Sequence, residues 1–176
     1  QKNMHLILLT DRGTPHKALS METIHFLDKA VFNKISWQEY CAYLKQHNHF
    51  LDQRSYTKPY TNFLSEYKST IVEPKFEFYG ISQNGIIKGV TGIQEFDHVL
   101  LPNHAIRYRV LRIDEDQQGK NLGRHLLDFA VQHWPTKQYL FGYVRLSHVD
   151  WASHQGFKKI ENLISDSDHC FMGKHI

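Results

Sequence analysis

The stretch that most restricts this chain runs from a strand-like segment, residues 107–113, through a polar loop into a helix-like segment, residues 122–134. The loop carries Gln117, Gln118, Gly119, Lys120 and Asn121, and the helix opens on Leu122, Gly123 and Arg124. A strand that feeds a helix in this way can make an anion site. The first backbone N–H groups of a helix have no partners inside it, and the helix dipole places partial positive charge there. Gly119 and Gly123 put no Cβ between backbone and ligand, and Lys120 and Arg124 add positive charge. A phosphate or pyrophosphate is the natural guest; a polar turn capping an ordinary helix is the alternative. Neither common nucleotide loop, G-x-x-x-x-G-K-S/T or G-x-G-x-x-G, is present.

Downstream, residues 139–144 read as a strand of aromatic and β-branched residues. Residues 149–160 then read as a short helix, the pair Gly156-Phe157, and a strand. Gly156 suits a left-handed helix C-cap, and Phe157 starts a core strand. Upstream, residues 75–81 alternate, Asn84-Gly85 turns, and residues 86–96 return, which predicts a β-hairpin. Residues 98–106 connect it to the strand before the loop. Nearer the start, residues 4–10 predict a first strand and residues 11–15 a turn. Ser20 is placed to cap a helix with Ile24, Leu27, Ala30 and Val31 at helical spacing. Ser36 with Glu39 forms a capping box for a second helix, whose apolar face is Tyr40, Tyr43 and Leu44. Residues 60–67, bracketed by Pro59 and Pro74, predict a third helical piece.

The segment from Gln118 to Gly123 resembles the pyrophosphate loop of the GNAT superfamily of acyl-CoA-dependent N-acyltransferases, Gln/Arg-x-x-Gly-x-Gly/Ala. Gln118 opens the motif and Gly123 closes it, while Asn121 stands where the family has its middle glycine. Asn is the residue after glycine that best tolerates left-handed backbone angles, so the loop shape survives. The helix, Gly156-Phe157 and following strand resemble that family's ending, and the resemblance covers roughly residues 76–176. It implies an α/β (α+β) fold: a mixed, mostly antiparallel sheet of about six to seven strands flanked by helices and splayed between strands four and five. Residues 1–176 form a single domain on this reading. Residues 1–75 are the variable acceptor-side half and residues 76–176 the acyl-CoA-binding core.

What the resemblance implies for chemistry follows residue by residue. The backbone from Gln118 through Gly119, Lys120, Asn121, Leu122, Gly123 and Arg124 takes the pyrophosphate. Leu111, Arg112 and Ile113 hydrogen-bond the pantetheine arm, with an N–H near Ile113 facing the thioester oxygen. The family often has a tyrosine four residues before the glycine of Gly-Phe; here that residue is Ala152, beside Trp151. The family's frequent Asn upstream is also missing, with Arg145 near its place. Substitute proton carriers are His148, His154, Ser147, Ser153 and Tyr143, with His148 preferred. Glu95 is the first choice of base, its pKa raised by partial burial, ahead of Asp97, Asp114 and Glu115, the last two in a solvated turn.

Composition narrows the classes. The 176 residues fit one domain, and 41% apolar content supplies a core. No apolar run is long enough to span a bilayer, and Met4 is the candidate native start. Cys41 and Cys170 make no disulfide framework, which favours a reducing cytoplasm. A net charge of +3 suits an anionic ligand and is far from a nucleic-acid signature. The 13 histidines are scattered, so no metal site is expected; His47 and His49 read as a solvated surface pair. The leading expectation is an N-acetyltransferase that uses acetyl-CoA on an amine acceptor, a small molecule or a protein amine. The alternative is a non-catalytic GNAT-fold acyl-CoA-binding or regulatory module. A membrane partner is not expected, nucleic acid is disfavoured, and a homodimer stays open. Tyr40, Tyr43, Tyr56, Tyr60 and Phe63 are candidates for an acceptor pocket, with core packing the commoner fate of such aromatics.

Overall fold

A computed structural model describes residue 21, residues 29–48, residue 71, residues 74–163 and residues 167–176. Readings that fall on residues 4–15, on Ser20, Ile24 and Leu27, on residues 60–67, and on Tyr56, Tyr60 and Phe63 lie outside the described residues. The elements are β1 (Ala30–Ile35), α1 (Trp37–Gln46), β2 (Phe76–Gln83), β3 (Ile86–Glu95), β4 (Ala105–Ile113), α2 (Leu122–Val131), β5 (Tyr139–Arg145), α3 (Val149–His154), β6 (Lys158–Lys159) and β7 (His169–His175). Short 3₁₀ turns, Glu115–Gln117 and Leu146–His148, follow β4 and β5.

The strands form one seven-stranded sheet in the order β1-β2-β3-β4-β5-β7-β6. Every pairing is antiparallel except β4 with β5. The β2–β3 hairpin turns on Asn84 (φ 52°) and Gly85 (φ 76°), and two left-handed central residues are what a two-residue hairpin needs. Helix α1 starts as its capping box dictates: the Glu39 N–H donates to Ser36 Oγ at 3.1 Å, and the Ser36 N–H to the Glu39 carboxylate at 2.7 Å.

The sheet buries both faces. On one, α2 presents Leu122, Leu126, Leu127 and Ala130, a stripe at helical spacing, to Tyr79, Ile81, Ile93 and Ile106. On the other, Tyr40, Tyr43 and Leu44 of α1 pack on Phe78 and Val90. Tyr79 lies at the seam of sheet and helix. Its hydroxyl accepts from Trp134 Nε1 at 2.9 Å and donates to the Glu77 carboxylate at 2.6 Å.

Two sequence expectations need correcting. Ala30 and Val31 do not continue a helix; they begin β1, which pairs along its whole length with β2. The partner strand lies some fifty residues away, and a ladder with it outweighs a local helical spacing. Helix α2 stops at Val131 rather than running to Trp134, because Pro135 disfavours helical angles at the residue before it and Trp134 turns inward to Tyr79.

The feature that prepares a site is the parting of β4 and β5. They pair at Ala105↔Tyr139, Ile106↔Leu140 and Arg107↔Phe141, and no further. Beyond Arg107, β5 keeps β7 as its partner as far as Arg145↔His169, while β4 keeps β3. The Tyr108 ring fills the space over Gly142 where the strands part. Two residues on, β4 bulges: Gly92 lies opposite Arg109 and Thr91 opposite Leu111, leaving Val110 unpaired at φ 56°. A β-branched residue resists that angle. It is held there by the Thr91 hydroxyl, which donates to the Val110 carbonyl at 2.8 Å, and by packing against the α1 cluster. A bulge bends its strand, and here it does so within the parted stretch.

Candidate functional site

At the open end of the parting, β4 gives way to the polar loop. The Asp114 N–H donates to the Lys88 carbonyl at 2.8 Å, and the Gln117 N–H to the Asp114 carbonyl at 2.9 Å. Gln118 Nε2 reaches back to the Ile113 carbonyl at 3.2 Å. The chain then passes through two left-handed residues, Gly119 (φ 79°) and Asn121 (φ 59°, ψ 22°), into α2. Asn121 thus takes the angle its amide side chain tolerates, and it makes no side-chain cap. Among the described residues, the backbone N–H groups of Gly119, Asn121, Leu122 and Gly123 make no hydrogen bond to the chain's own groups. They converge where the helix dipole is positive. Lys120 Nζ donates to Gln117 Oε1 at 3.2 Å, and Arg124 lies 3.7 Å from Asp128 one turn on.

Gly123 sits where three elements meet. A Cβ there would lie 3.4 Å from Leu111 Cδ2 and 3.5 Å from Trp151 Cζ2. Leu111 and Trp151 both pack against the central cluster, so β4 and α3 form the floor beneath the first turn of α2. The arrangement can hold a diphosphate at the helix start and admit a thin chain between β4 and β5.

Solved structures share this layout. An IAA acetyltransferase from Bacillus cereus is 15% identical, superposes with a TM-score of 0.57, and matches over 84% of this chain and 99% of its own. The chain has the GNAT fold. The ribosomal-protein-S18-alanine N-acetyltransferase of Escherichia coli is similar at 13% identity, with a TM-score of 0.57 over 84% of this chain and 94% of that one. The PaiA N-acetyltransferase from Thermoplasma acidophilum, solved with coenzyme A, is 14% identical, with a TM-score of 0.54 over 84% and 99%. No family model and no curated protein matches the sequence.

Within the GNAT fold, the sequence-nominated residues fall in different places. Leu111, Arg112 and Ile113 close β4 beside the parting, and Gln118 through Arg124 form the loop and first turn. His148 is exposed in the turn that follows β5, at the end where that strand no longer pairs with β4. Ser147 and Ser153 are also exposed, and His154 Nδ1 donates to the Asp150 carbonyl at 2.6 Å. Tyr143 stacks on His169, ring centres 4.8 Å apart. Ala152 is fully buried, and its methyl group offers no proton to a leaving thiolate.

Glu95 lies elsewhere. It sits opposite Ile106, at the end where β4 and β5 are still paired. That is about 20 Å along β4 from Ile113 at the strand's rise per residue. Its carboxylate accepts from the Lys75 N–H at 3.0 Å and pairs with Lys137 Nζ at 3.2 Å. Burial alone would raise its pKa; the Lys75 amide and Lys137 outweigh burial and hold it below the usual carboxylate value. The raised pKa expected of it is therefore replaced by a lowered one.

The sequence reading missed a polar cluster beside the loop. The Tyr43 hydroxyl donates to Asp114 Oδ1 at 2.6 Å, His47 Nε2 lies 3.0 Å from the same oxygen, and Lys88 Nζ lies 3.7 Å from Oδ2. The sequence places Asp114 in a solvated turn, yet its side chain is only 14% exposed. Tyr40 and Tyr43, offered as pocket candidates, are core residues of α1.

Proposed function

We propose that this chain transfers an acyl group, acetyl in the first instance, from acyl-CoA to an amine. The single observation that carries the reading is the loop from Gln118 to Arg124, whose unclaimed amides gather at the mouth of the β4–β5 parting. The diphosphate of the donor lies on the N–H groups of Gly119, Asn121, Leu122 and Gly123, with Lys120 and Arg124 contributing charge. The pantetheine arm runs along Leu111, Arg112 and Ile113 as an added strand. This satisfies β4 backbone groups that β5 leaves unmatched. The thioester then falls within the gap, where the amine attacks its carbonyl carbon, the C–S bond breaks and CoA leaves as a thiolate that takes up a proton.

His148 is the proton carrier we favour, since it stands just past the end of β5 that has parted from β4, and an imidazole can both take up and release a proton. Glu95 we assign to anchoring the start of β2 and the segment before β5, on the strength of its ties to Lys75 and Lys137. The amine then loses its proton to water. Cys41 and Cys170 are free thiols, which suits the cytoplasm. Among the described residues no helix is long and apolar enough to cross a membrane.

One observation favours a second reading, a non-catalytic acyl-CoA-binding module: the buried Ala152 stands where the family often carries its acid. Release of free thiol from acetyl-CoA over a panel of small amines and peptide N-termini separates the two. Turnover with any amine supports transfer. Tight CoA binding with no thiol release across the panel supports the module, and no CoA binding defeats both.

A further inference from the structure

The cluster that joins α1 to the loop sets both ring nitrogens of His47 against hydrogen-bond acceptors. His47 ends α1 as its C-cap. Its Nδ1 lies 2.8 Å from the Tyr43 carbonyl, which can only accept, so Nδ1 carries a hydrogen. Its Nε2 lies 3.0 Å from Asp114 Oδ1, a carboxylate oxygen that already accepts from the Tyr43 hydroxyl. Both ring nitrogens therefore face acceptors, and the imidazolium supplies both with a hydrogen. The neutral ring would turn a lone pair on one of them. The carbonyl end of α1 favours a cation at this position as well.

Other charges border the pair. From β3, Lys88 approaches Asp114 at 3.7 Å and Asp116 at 3.9 Å. From β4, Arg112 stands near the Tyr43 hydroxyl, and from α1, Lys45 lies in the last turn. These cations oppose the charge on His47, while the Asp114 carboxylate and the Tyr43 carbonyl favour it at hydrogen-bond range. The Tyr43 hydroxyl stays protonated, its pKa pushed up by burial and then by Asp114.

Asp114 is also where β4 turns into the loop. It occupies the N-cap of the turn Glu115–Gln117 yet makes no cap with its side chain, which goes to α1 instead. Its carbonyl holds Gln117, and the neighbouring Ile113 carbonyl holds Gln118. A shift of Asp114 therefore moves the residues that enter the anion loop.

We propose that His47 and Asp114 are positioning residues for the diphosphate loop, and that His47 as imidazolium latches α1 to it, so that the grip on acyl-CoA is proton-linked. This rests on the acyl-CoA reading of the loop. Without that second ring hydrogen the latch opens and the loop loses its brace, so donor affinity falls.

The test uses the full chain and CoA as the probe. Affinity is measured by calorimetry at about pH 6 and about pH 8 in the wild type, His47→Gln and Tyr43→Phe. The titration of CoA's own phosphate is common to all three and cancels in the ratio. The wild-type affinity should fall about fivefold more than that of His47→Gln, the low end of typical site-to-site coupling. Tyr43→Phe, which keeps the imidazole and its carboxylate, should retain the wild-type slope. In parallel, ring ¹⁵N shifts of His47 should report both nitrogens protonated at about pH 6, with Asp114→Asn removing that state. Parallel pH curves for wild type and His47→Gln, with CoA bound, overturn this proposal alone. So does a His47 ring that keeps one bare nitrogen at the lower pH. Absence of CoA binding in every protein at both pH values defeats the acyl-donor reading and this proposal with it.

Discussion

Gln118 donates its side-chain amide to the Ile113 carbonyl at 3.2 Å, five residues back along the chain. The bond pins the loop's entry to the end of β4. The backbone beyond it can then pass through two left-handed residues without wandering from the helix start.

The amides at that helix start should be the main grip on the donor. Gly123→Glu puts a carboxylate over them and against Leu111 and Trp151; the paired change of Lys120 and Arg124 to Glu reverses the local charge. Either should weaken acetyl-CoA binding at least about tenfold, or about 1.4 kcal/mol. Fold should be kept, as read by calorimetry and by circular dichroism. Unchanged affinity in both would remove the anion site.

Asn121 holds φ 59° with no side-chain bond to justify its amide group. Asn121→Gly should therefore keep both stability and CoA affinity. Asn121→Val should cost about 1–2 kcal/mol, since a β-branched residue resists the left-handed region. Urea denaturation of the two variants measures this directly; equal midpoints would mean the loop does not need the angle.

Trp151 is half-buried against the central cluster and touches the space at Gly123. Trp151→Ala should lower stability by about 3 kcal/mol, the lower end for losing a large aromatic from a core. It should also weaken CoA binding, because the floor under α2 goes with it. A loss of stability with affinity intact would separate the ring from the donor site.

Glu77 gives the acid limit of the fold. Burial raises its pKa, but Lys34 at 2.8 Å, the Tyr79 hydroxyl and Lys75 at 3.2 Å outweigh it and bring the carboxyl to about 2. A folded-state value below the unfolded one contributes stability above the unfolded value. That stability is lost as pH falls from about 4.5 to about 2. Glu77→Gln should flatten the loss over that interval and cost at least about 1 kcal/mol near neutrality. Thermal midpoints taken down the pH range would expose a variant that keeps the wild-type slope.

What the sequence made legible was written in short windows. The capping box of Ser36 and Glu39, the Asn84-Gly85 turn, the left-handed tolerance of Asn121 and the Gly156 cap at φ 86° each depend on residues within a few positions of one another. What stayed hidden depended on distant partners. Ala30 and Val31 looked helical until β2 was there to pair with them. Glu95 carries no local sign of Lys137 and the Lys75 amide, which lower its pKa instead of letting burial raise it. Tyr43 and Asp114, 71 positions apart, carried no shared signal at all.

Only three rungs weld β4 to β5, so the sheet is two stiff panels joined along a short seam. A slender guest lying in the wedge would do the work of the absent ladder, stitching the panels from within. Ligand capture and mechanical closure would then be one event, legible as slowed amide exchange along the inner edges of both panels.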